Sequence, residues 1–287
     1  MDILQDAKTV NFVLDVVVPV RMPSEHLAYF LAEVKNMPSD IRVIFALDYQ
    51  YASSDNIHYS KSGAENMIFI RGEFGSPGLA RNAAFHILTA PYICFWDIDD
   101  RPLFHETMKL IEKMKQLGAQ VGIGNWAYHD LPKSPKGVLP LDVGSSPGIW
   151  RFIFNRELIK DLEFGSFKWG EDQLFLSEVF AKKPTVTFID NIIYQYRRNT
   201  EGSLTSSGNF SKDLYGVALK GAPIVYEMKG SARGCFSLMY LKQIATLIKR
   251  RRIDLAAHLL LISIFKFSAT RLSIWSIIRL YAGANKW

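Results

Sequence analysis

Cysteine is nearly absent: Cys94 and Cys235 are the two in 287 residues. Two thiols make neither a disulfide framework nor a thiolate metal cage, and Cys94 lies inside an apolar run, so both are expected as buried thiols. No stretch has the ~20 consecutive apolar residues that a membrane-spanning helix needs. The run LAAHLLLISIF, Leu255 to Phe265, stops at Lys266 and is expected either to lie on a membrane or to pack inside the protein. The N-terminus lacks a basic start leading into an unbroken apolar run, because Asp15 interrupts VNFVLDVVVPV. That excludes the signal-peptide pattern and sets the expectation of a cytoplasmic protein. No internal repeat or low-complexity tract is found. No basic stretch interleaved with aromatics accompanies the positive charge, so nucleic acid is not an expected partner.

What is present is apolar and unevenly charged. Hydrophobic residues make up 48% and aromatics 13%, enough to bury the core of one large domain, or of one domain plus a small one. From Ser211 to Trp287 there are 13 Lys+Arg against 3 Asp+Glu, a balance of +10, which leaves −4 for residues 1 to 210. The basic character therefore belongs to the tail.

FVLDVVVPV, IRVIFAL, AENMIFIRG and APYICFW are β-branched or aromatic runs of strand length. SEHLAYFLAEVKNM and SPGLARNAAFHIL fit as helices between them, and FHETMKLIEKMKQLG follows as a helix ending at Gly118. Strands alternating with helices at this spacing argue for an α/β fold with a mostly parallel sheet. AQVGIGNWAY, IWRFIF and TVTFIDNIIYQYRRN read as further strands, with helices in NRELIKDL and from WGEDQLFLSEVFAKK. The segment 129 to 148 is rich in Pro, Gly and Ser and long for a loop, which fits a lid. From about Lys212 the pattern is helical, with Leu238, Leu241, Ile244 and Ile248 spaced for one apolar face.

Three carboxylates, Asp97, Asp99 and Asp100, stand at the end of the apolar run YICFW. If the strand persists, Asp97 and Asp99 share a face and repel each other unless a cation lies between them. A hard divalent ion, Mg²⁺ or Mn²⁺, suits oxygen ligands of this kind. Asp is equally common in turns and before Pro, so local sequence leaves a turn and a metal site as equal readings. An aspartyl-nucleophile phosphatase would want a small hydroxyl residue where this chain has Arg101. In GSPGLARN, Ser76 is a candidate N-cap with Pro77 at the first helical position, which suits an anion, and Arg81 is placed within the first turn. Glu171 and Asp172 open the helix of WGEDQLF, where acidic residues also serve simply to complement the helix dipole.

Taken in order, VVVPVR, GSPGLARNAAF, FWDIDD, FNRELIKDLEFGSFKWGEDQLF and YQYRRNTEGSLT resemble the family 2 glycosyltransferases of the GT-A fold over about residues 12 to 207. The resemblance implies a catalytic domain over 1–210, with a nucleotide-sugar half at about 1–101 and an acceptor half at about 102–210. Residues 211–287 are then a basic amphipathic helical extension. The implied reaction is metal-dependent, inverting transfer of a hexosyl or N-acetylhexosaminyl group. The donor is a nucleotide-diphospho sugar, a UDP-sugar being favoured, and the acceptor is a saccharide or is lipid-linked, as in capsule, lipopolysaccharide or other polysaccharide synthesis.

The resemblance makes Asp172 the general base and Asp99 the ligand of Mn²⁺ or Mg²⁺, with Asp97 at the nucleotide and Asp100 an auxiliary ligand or helix cap. Pro19, Val20 and Arg21, together with Arg81, Arg198 and Ser203, are expected at the donor. Glu171 and Trp169 are expected at the acceptor. The family's Asp-Asp-Gly-Ser turn is replaced by ALDYQYASSDN, leaving Asp48 as the base-recognising acid. Two other classes fit the sequence less well. A nucleotidyltransferase would show a glycine-rich loop after the first strand, where this chain reads VVVPVRMPSEH; a non-catalytic carbohydrate- or membrane-binding relative would not need both Asp99 and Asp172. The basic tail suits an anionic membrane surface, which would place the enzyme peripherally at the inner face, and equally suits packing on the catalytic domain or on a second copy.

Overall fold

A computed structural model describes residues 11–21, 24, 26–49, 66–129, 148–197 and 210–267. They belong to two compact units, one drawn from Met1–Pro135, Ile149–Asp161 and Thr185–Arg198, the other from Lys136–Gly148, Leu162–Pro184 and Asn199–Trp287. The Pro-, Gly- and Ser-rich loop expected as a lid lies outside the described residues.

The first unit is built on one sheet. Its strands are β1 (Leu14–Arg21), β2 (Ile41–Asp48), β3 (Met67–Gly72), β4 (Tyr92–Phe95), β5 (Arg101–Pro102), β6 (Val121–Tyr128), β7 (Phe152–Asn155) and β8 (Val186–Tyr196), in the order β3-β2-β1-β4-β7-β6-β8-β5. β3, β2, β1 and β4 pair in parallel, as do β6 and β8, giving the mostly parallel sheet that the alternation predicts. β7 is antiparallel to both β4 and β6, and the short β5 is antiparallel to β8. Every residue of β2 is buried, as a strand covered on both faces requires. The helices of this unit are α1 (His26–Val34), α2 (Pro77–Ala84), α3 (Phe104–Leu117) and α4 (Arg156–Ile159). Phe30 of α1 meets Phe45 of β2 edge to face at 6.0 Å.

Asp15, which breaks the apolar run of β1, is fully buried and fully satisfied. Arg42 donates to both its carboxylate oxygens at 2.7 and 2.8 Å, and the amides of Thr89 and Ala90 donate to Oδ2 at 2.8 and 2.9 Å. Arg42 also reaches the Ile87 carbonyl and Thr89 Oγ1. The pair thus fastens the turn before β4 to β1 and β2, at the end of the sheet where the parallel strands begin.

The second unit is helical: α5 (Glu171–Ala181), α6 (Ser211–Glu227), α7 (Gly230–Lys249) and α8 (Ile253–Phe267). Leu174, Phe175, Val179 and Phe180 of α5 are buried, as its periodicity predicts. On α7 the expected face is rotated. Leu238 and Leu241 are half-buried and Ile248 is 38% exposed, whereas Phe236, Met239, Tyr240, Gln243, Ile244 and Leu247 are buried. Two polar residues take core positions because they find partners: Tyr240 Oη bonds Ser177 Oγ at 2.9 Å, and Gln243 bonds Gln173. Among the described residues no helix is long and apolar enough to cross a membrane.

Candidate active site

In the first unit the chain leaves β1 toward β2 on one side and has β4 on the other, so the strand order reverses between β1 and β4. At such a reversal the loops after the two strands diverge and leave a crevice at their carboxyl ends, the place where open α/β sheets bind ligands. Pro19, Val20 and Arg21 end β1, in register with Ala46, Leu47 and Asp48 of β2. Val20 is buried, Pro19 half-buried and Arg21 exposed.

Asp48 is buried and its two oxygens accept the amides of Phe74 and Gly75 at 2.8 and 3.1 Å. Gly75 has φ +73°, a conformation that favours glycine, and it turns the chain into the α2 cap. Ser76 is that N-cap, accepting from the Leu79 amide at 3.3 Å, and Pro77 opens the helix. Arg81 is the fifth helical residue, in the second turn rather than the first. It is buried, and its Nη2 donates to Asp97 Oδ1 at 2.9 Å; in the last turn of α2 the helix dipole favours a cation, so the carboxylate offsets the burial of the guanidinium.

β4 ends at Phe95, and the Trp96 amide still donates to the Val17 carbonyl of β1. The strand does not persist to Asp99, so alternation is not what gathers the acids. They stand in a turn closed by a 3.4 Å bond from the Asp100 amide to the Asp97 carbonyl, with Ile98 and Asp99 at its centre. Asp97 and Asp99 are half-buried. Asp100 is 1% exposed and does not cap the next helix: α3 starts at Phe104 with Leu103 as N-cap, while Asp100 Oδ1 accepts the Arg197 amide at 2.7 Å. Burial pushes the Asp100 carboxyl well above the usual range, and Asp97 and Asp99 add to the rise. Burial, and after it the neighbouring Asp100, Asp97 and Asp99, push the Tyr196 hydroxyl up to about 12.

In the second unit, Gly170 is the N-cap of α5 with φ +82°. Glu171 is buried, and Asp172 is half-buried with its Oδ1 accepting the adjacent Gln173 amide at 2.8 Å. A carboxylate in the first turn of an 11-residue helix stands where the helix dipole favours negative charge. Trp169 stacks on Phe210 at 4.7 Å, and the Arg250 guanidinium lies 3.6 Å from the centre of the Phe210 ring.

The profile of Glycosyl transferase family 2 matches residues 15–180. The chain belongs to that family. TarS residues 1–349 of S. aureus, solved with UDP-GlcNAc, is similar at TM-score 0.64 and 17% identity, over 80% of this chain and 72% of that one. The mannosyltransferase PcManGT of Pyrobaculum calidifontis, solved with GDP-Man and Mn²⁺, is similar at TM-score 0.58 and 13% identity, over 97% and 82%. These likenesses show the fold, a GT-A-like sheet with C-terminal helices. No curated protein sequence matches the chain.

For this family 2 chain, the first unit brings Pro19, Val20, Arg21, Asp48, Arg81, Asp97 and Asp99 to the carboxyl ends of its parallel strands or to the helix that follows them. Asp172, Glu171 and Trp169 lie in the second unit. Arg198 and Ser203 fall outside the described residues. Sequence reasoning missed Tyr194. The ring stacks on Trp150 at 4.7 Å, and the hydroxyl also accepts the Asp97 amide at 2.9 Å. Its spacing from Tyr196, two places along a strand, gives the shared face but not the partner.

Among the described residues no three His, Cys, Asp or Glu side chains form a group able to hold a metal unaided. The turn nevertheless fits a hard divalent ion. Its crowded acids include a buried carboxylate, Asp100, whose Oδ2 has no hydrogen-bond partner among the described residues, and such ions are held by one or two carboxylates together with substrate phosphates and water.

Proposed function

We propose that the chain is a metal-dependent, inverting glycosyltransferase that moves a sugar from a nucleotide-diphospho donor, a UDP-sugar being favoured, to a saccharide or lipid-linked acceptor in polysaccharide or glycoconjugate assembly. The observation that carries this reading is the Asp97–Asp100 turn at the strand-order reversal, with the buried Arg81 braced against Asp97. The UDP-GlcNAc of the TarS structure and the GDP-Man and Mn²⁺ of the PcManGT structure support the donor class and the ion.

In this reading Asp99 would hold Mn²⁺ or Mg²⁺, which neutralises charge growing on the departing diphosphate. Arg81 fixes Asp97 at the nucleotide side, and Pro19, Val20, Arg21 and Asp48 line it. Arg198 and Ser203 are proposed at the diphosphate, and Glu171 and Trp169 at the acceptor. Asp172 takes the proton of the acceptor hydroxyl as that oxygen bonds to the anomeric carbon. The bond from that carbon to the diphosphate oxygen breaks, the nucleoside diphosphate leaves, and the configuration inverts.

A donor screen by nucleotide release, with Mn²⁺ and with a chelator, tests this. One nucleotide sugar should be turned over only with metal. Asp99→Ala should lower turnover roughly 10²- to 10³-fold, and Asp172→Asn roughly 10²- to 10⁴-fold. If no nucleotide sugar is turned over, or if both variants keep wild-type rates, the mechanism is wrong.

A further inference from the structure

We infer that Tyr194 is a positioning residue for the metal turn: the end of β8 holds the Asp97–Asp100 turn in the shape that presents Asp99, and so sets the strength of divalent-cation binding. The inference rests on the assignment of the ion to Asp99.

The turn is poorly fixed by its own backbone, whose closing bond from the Asp100 amide to the Asp97 carbonyl is 3.4 Å long. β8 and the residue that follows it supply three shorter tethers. Tyr194 Oη accepts the Asp97 amide at 2.9 Å, the Arg197 amide donates to Asp100 Oδ1 at 2.7 Å, and the Ile193 carbonyl accepts the Leu103 amide at 2.8 Å. They bracket Asp99 on both sides in sequence. The Tyr194 side chain is fully buried and lies flat on Trp150, with 8° between the ring planes, so its hydroxyl is a fixed acceptor. Asp100, at 1% exposure, faces this strand. A buried acid beside two others is costly, and the arrangement becomes intelligible if Asp100 is the strut by which β8 grips the turn.

A merely structural tyrosine would affect stability and leave the ion alone. A positioning tyrosine has the opposite signature. Tyr194→Phe keeps the ring and its stacking and removes the acceptor of the Asp97 amide. The turn then loses the bond to the Asp97 amide together with the Tyr194–Asp100 side-chain hydrogen bond, and the shape that offers Asp99 becomes less populated.

The experiment is Mn²⁺ binding to the full chain, read from the paramagnetic resonance of free Mn²⁺, with the metal alone and with UDP or GDP. Thermal unfolding of each protein is measured alongside. Tyr194→Phe should weaken Mn²⁺ at least roughly tenfold, the worth of one hydrogen bond or more, without a matching fall in Tm. Asp99→Asn should abolish site binding. Arg197→Pro removes the other amide donor and should also weaken Mn²⁺, so the idea stays testable if Tyr194→Phe fails to fold. Wild-type Mn²⁺ affinity in the folded variants, with Asp99→Asn still inactive in binding, would overturn the positioning role alone. If Asp99→Asn binds Mn²⁺ as the wild type does, or the wild type binds none with either nucleotide, the metal assignment falls and the inference with it.

Discussion

Two buried ion pairs show how differently a carboxylate can be used in one sheet. Asp15 is fully enclosed with four donors on its two oxygens, whereas the Asp97 side chain is 33% exposed and meets both the buried Arg81 and solvent. Removing one partner of an enclosed pair strands a charge, at about 3–5 kcal/mol. Asp15→Ala should therefore lower stability by about 3–5 kcal/mol, because Arg42 is left buried. Arg81→Ala should cost less, about 1–3 kcal/mol, because water can screen Asp97. Turnover should reverse the order. The Asp15 variant, assayed well below its Tm, should keep its rate per folded molecule, while the Arg81 variant should lose at least roughly tenfold, a hydrogen bond to a charge being at stake. Denaturant titration and initial rates on the same preparations decide between these outcomes. Asp15 could be read in the sequence only as a break in an apolar run, because its partner stands 27 residues away and its amide donors 74 and 75 away. Arg81 was expected at the donor by resemblance, but its pairing with Asp97 was not legible.

At the level of elements, most strands and helices were legible because their periodicity and caps are local. What was not legible depended on neighbours. β7 has no strand-direction signal of its own, and it runs antiparallel between β4 and β6. The core face of α7 includes Tyr240 and Gln243, polar residues that enter the core only because Ser177 and Gln173 meet them. Tyr240 also needs Gly221, since a Cβ there would overlap its hydroxyl. Burial raises the Tyr240 pKa, against which the Ser177 bond works only in part. The unfolded chain therefore loses this proton first, near the ordinary value of 10.0. The stability contributed by Tyr240 is complete below that pH and declines as pH rises above it. Denaturation midpoints from pH 9 to 11.5 should fall less steeply in Tyr240→Phe than in the wild type, and an equal slope would refute the linkage. The start of α5 gives a second prediction. Gly170 has φ +82° and a Cβ there would touch Val217 Cγ2 at 3.4 Å, so Gly170→Ala should cost about 1–2 kcal/mol. Gly170→Asn should cost less, since asparagine tolerates the left-handed region. An alanine variant as stable as the wild type would show that the helix start relaxes without strain.

For the whole molecule, the decisive quantity is where the charge lies. The chain carries +6, but residues 211–287 hold +10 and the remainder −4. In the second unit this charge is concentrated at the turn between α7 and α8, where Lys249, Arg250 and Arg251 are exposed. Arg252 is partly spent on Asp254 at 2.8 Å, and Arg250 lies over Phe210. On α8, Ile253 directly after them is 66% exposed and Leu261, two turns further on, is 54% exposed, while Ala256 and Leu259 turn inward. Charge beside exposed aliphatic surface is the combination that adsorbs to anionic lipid, each basic side chain near the surface contributing about 1 kcal/mol. We therefore expect the chain to float with vesicles containing phosphatidylserine and not with phosphatidylcholine alone. Binding should weaken sharply as salt shortens the Debye length to about 3 Å near 1 M. Lys249→Glu with Arg251→Glu removes two attractions and adds two repulsions, so vesicle affinity should fall by at least roughly thirtyfold. Equal flotation with neutral lipid would mean that the aliphatic residues act without the charge. No flotation with either lipid would return the basic face to its other role, a solvated or self-associating surface, and sedimentation of the same two proteins would then show whether the charge reversal changes the oligomeric state.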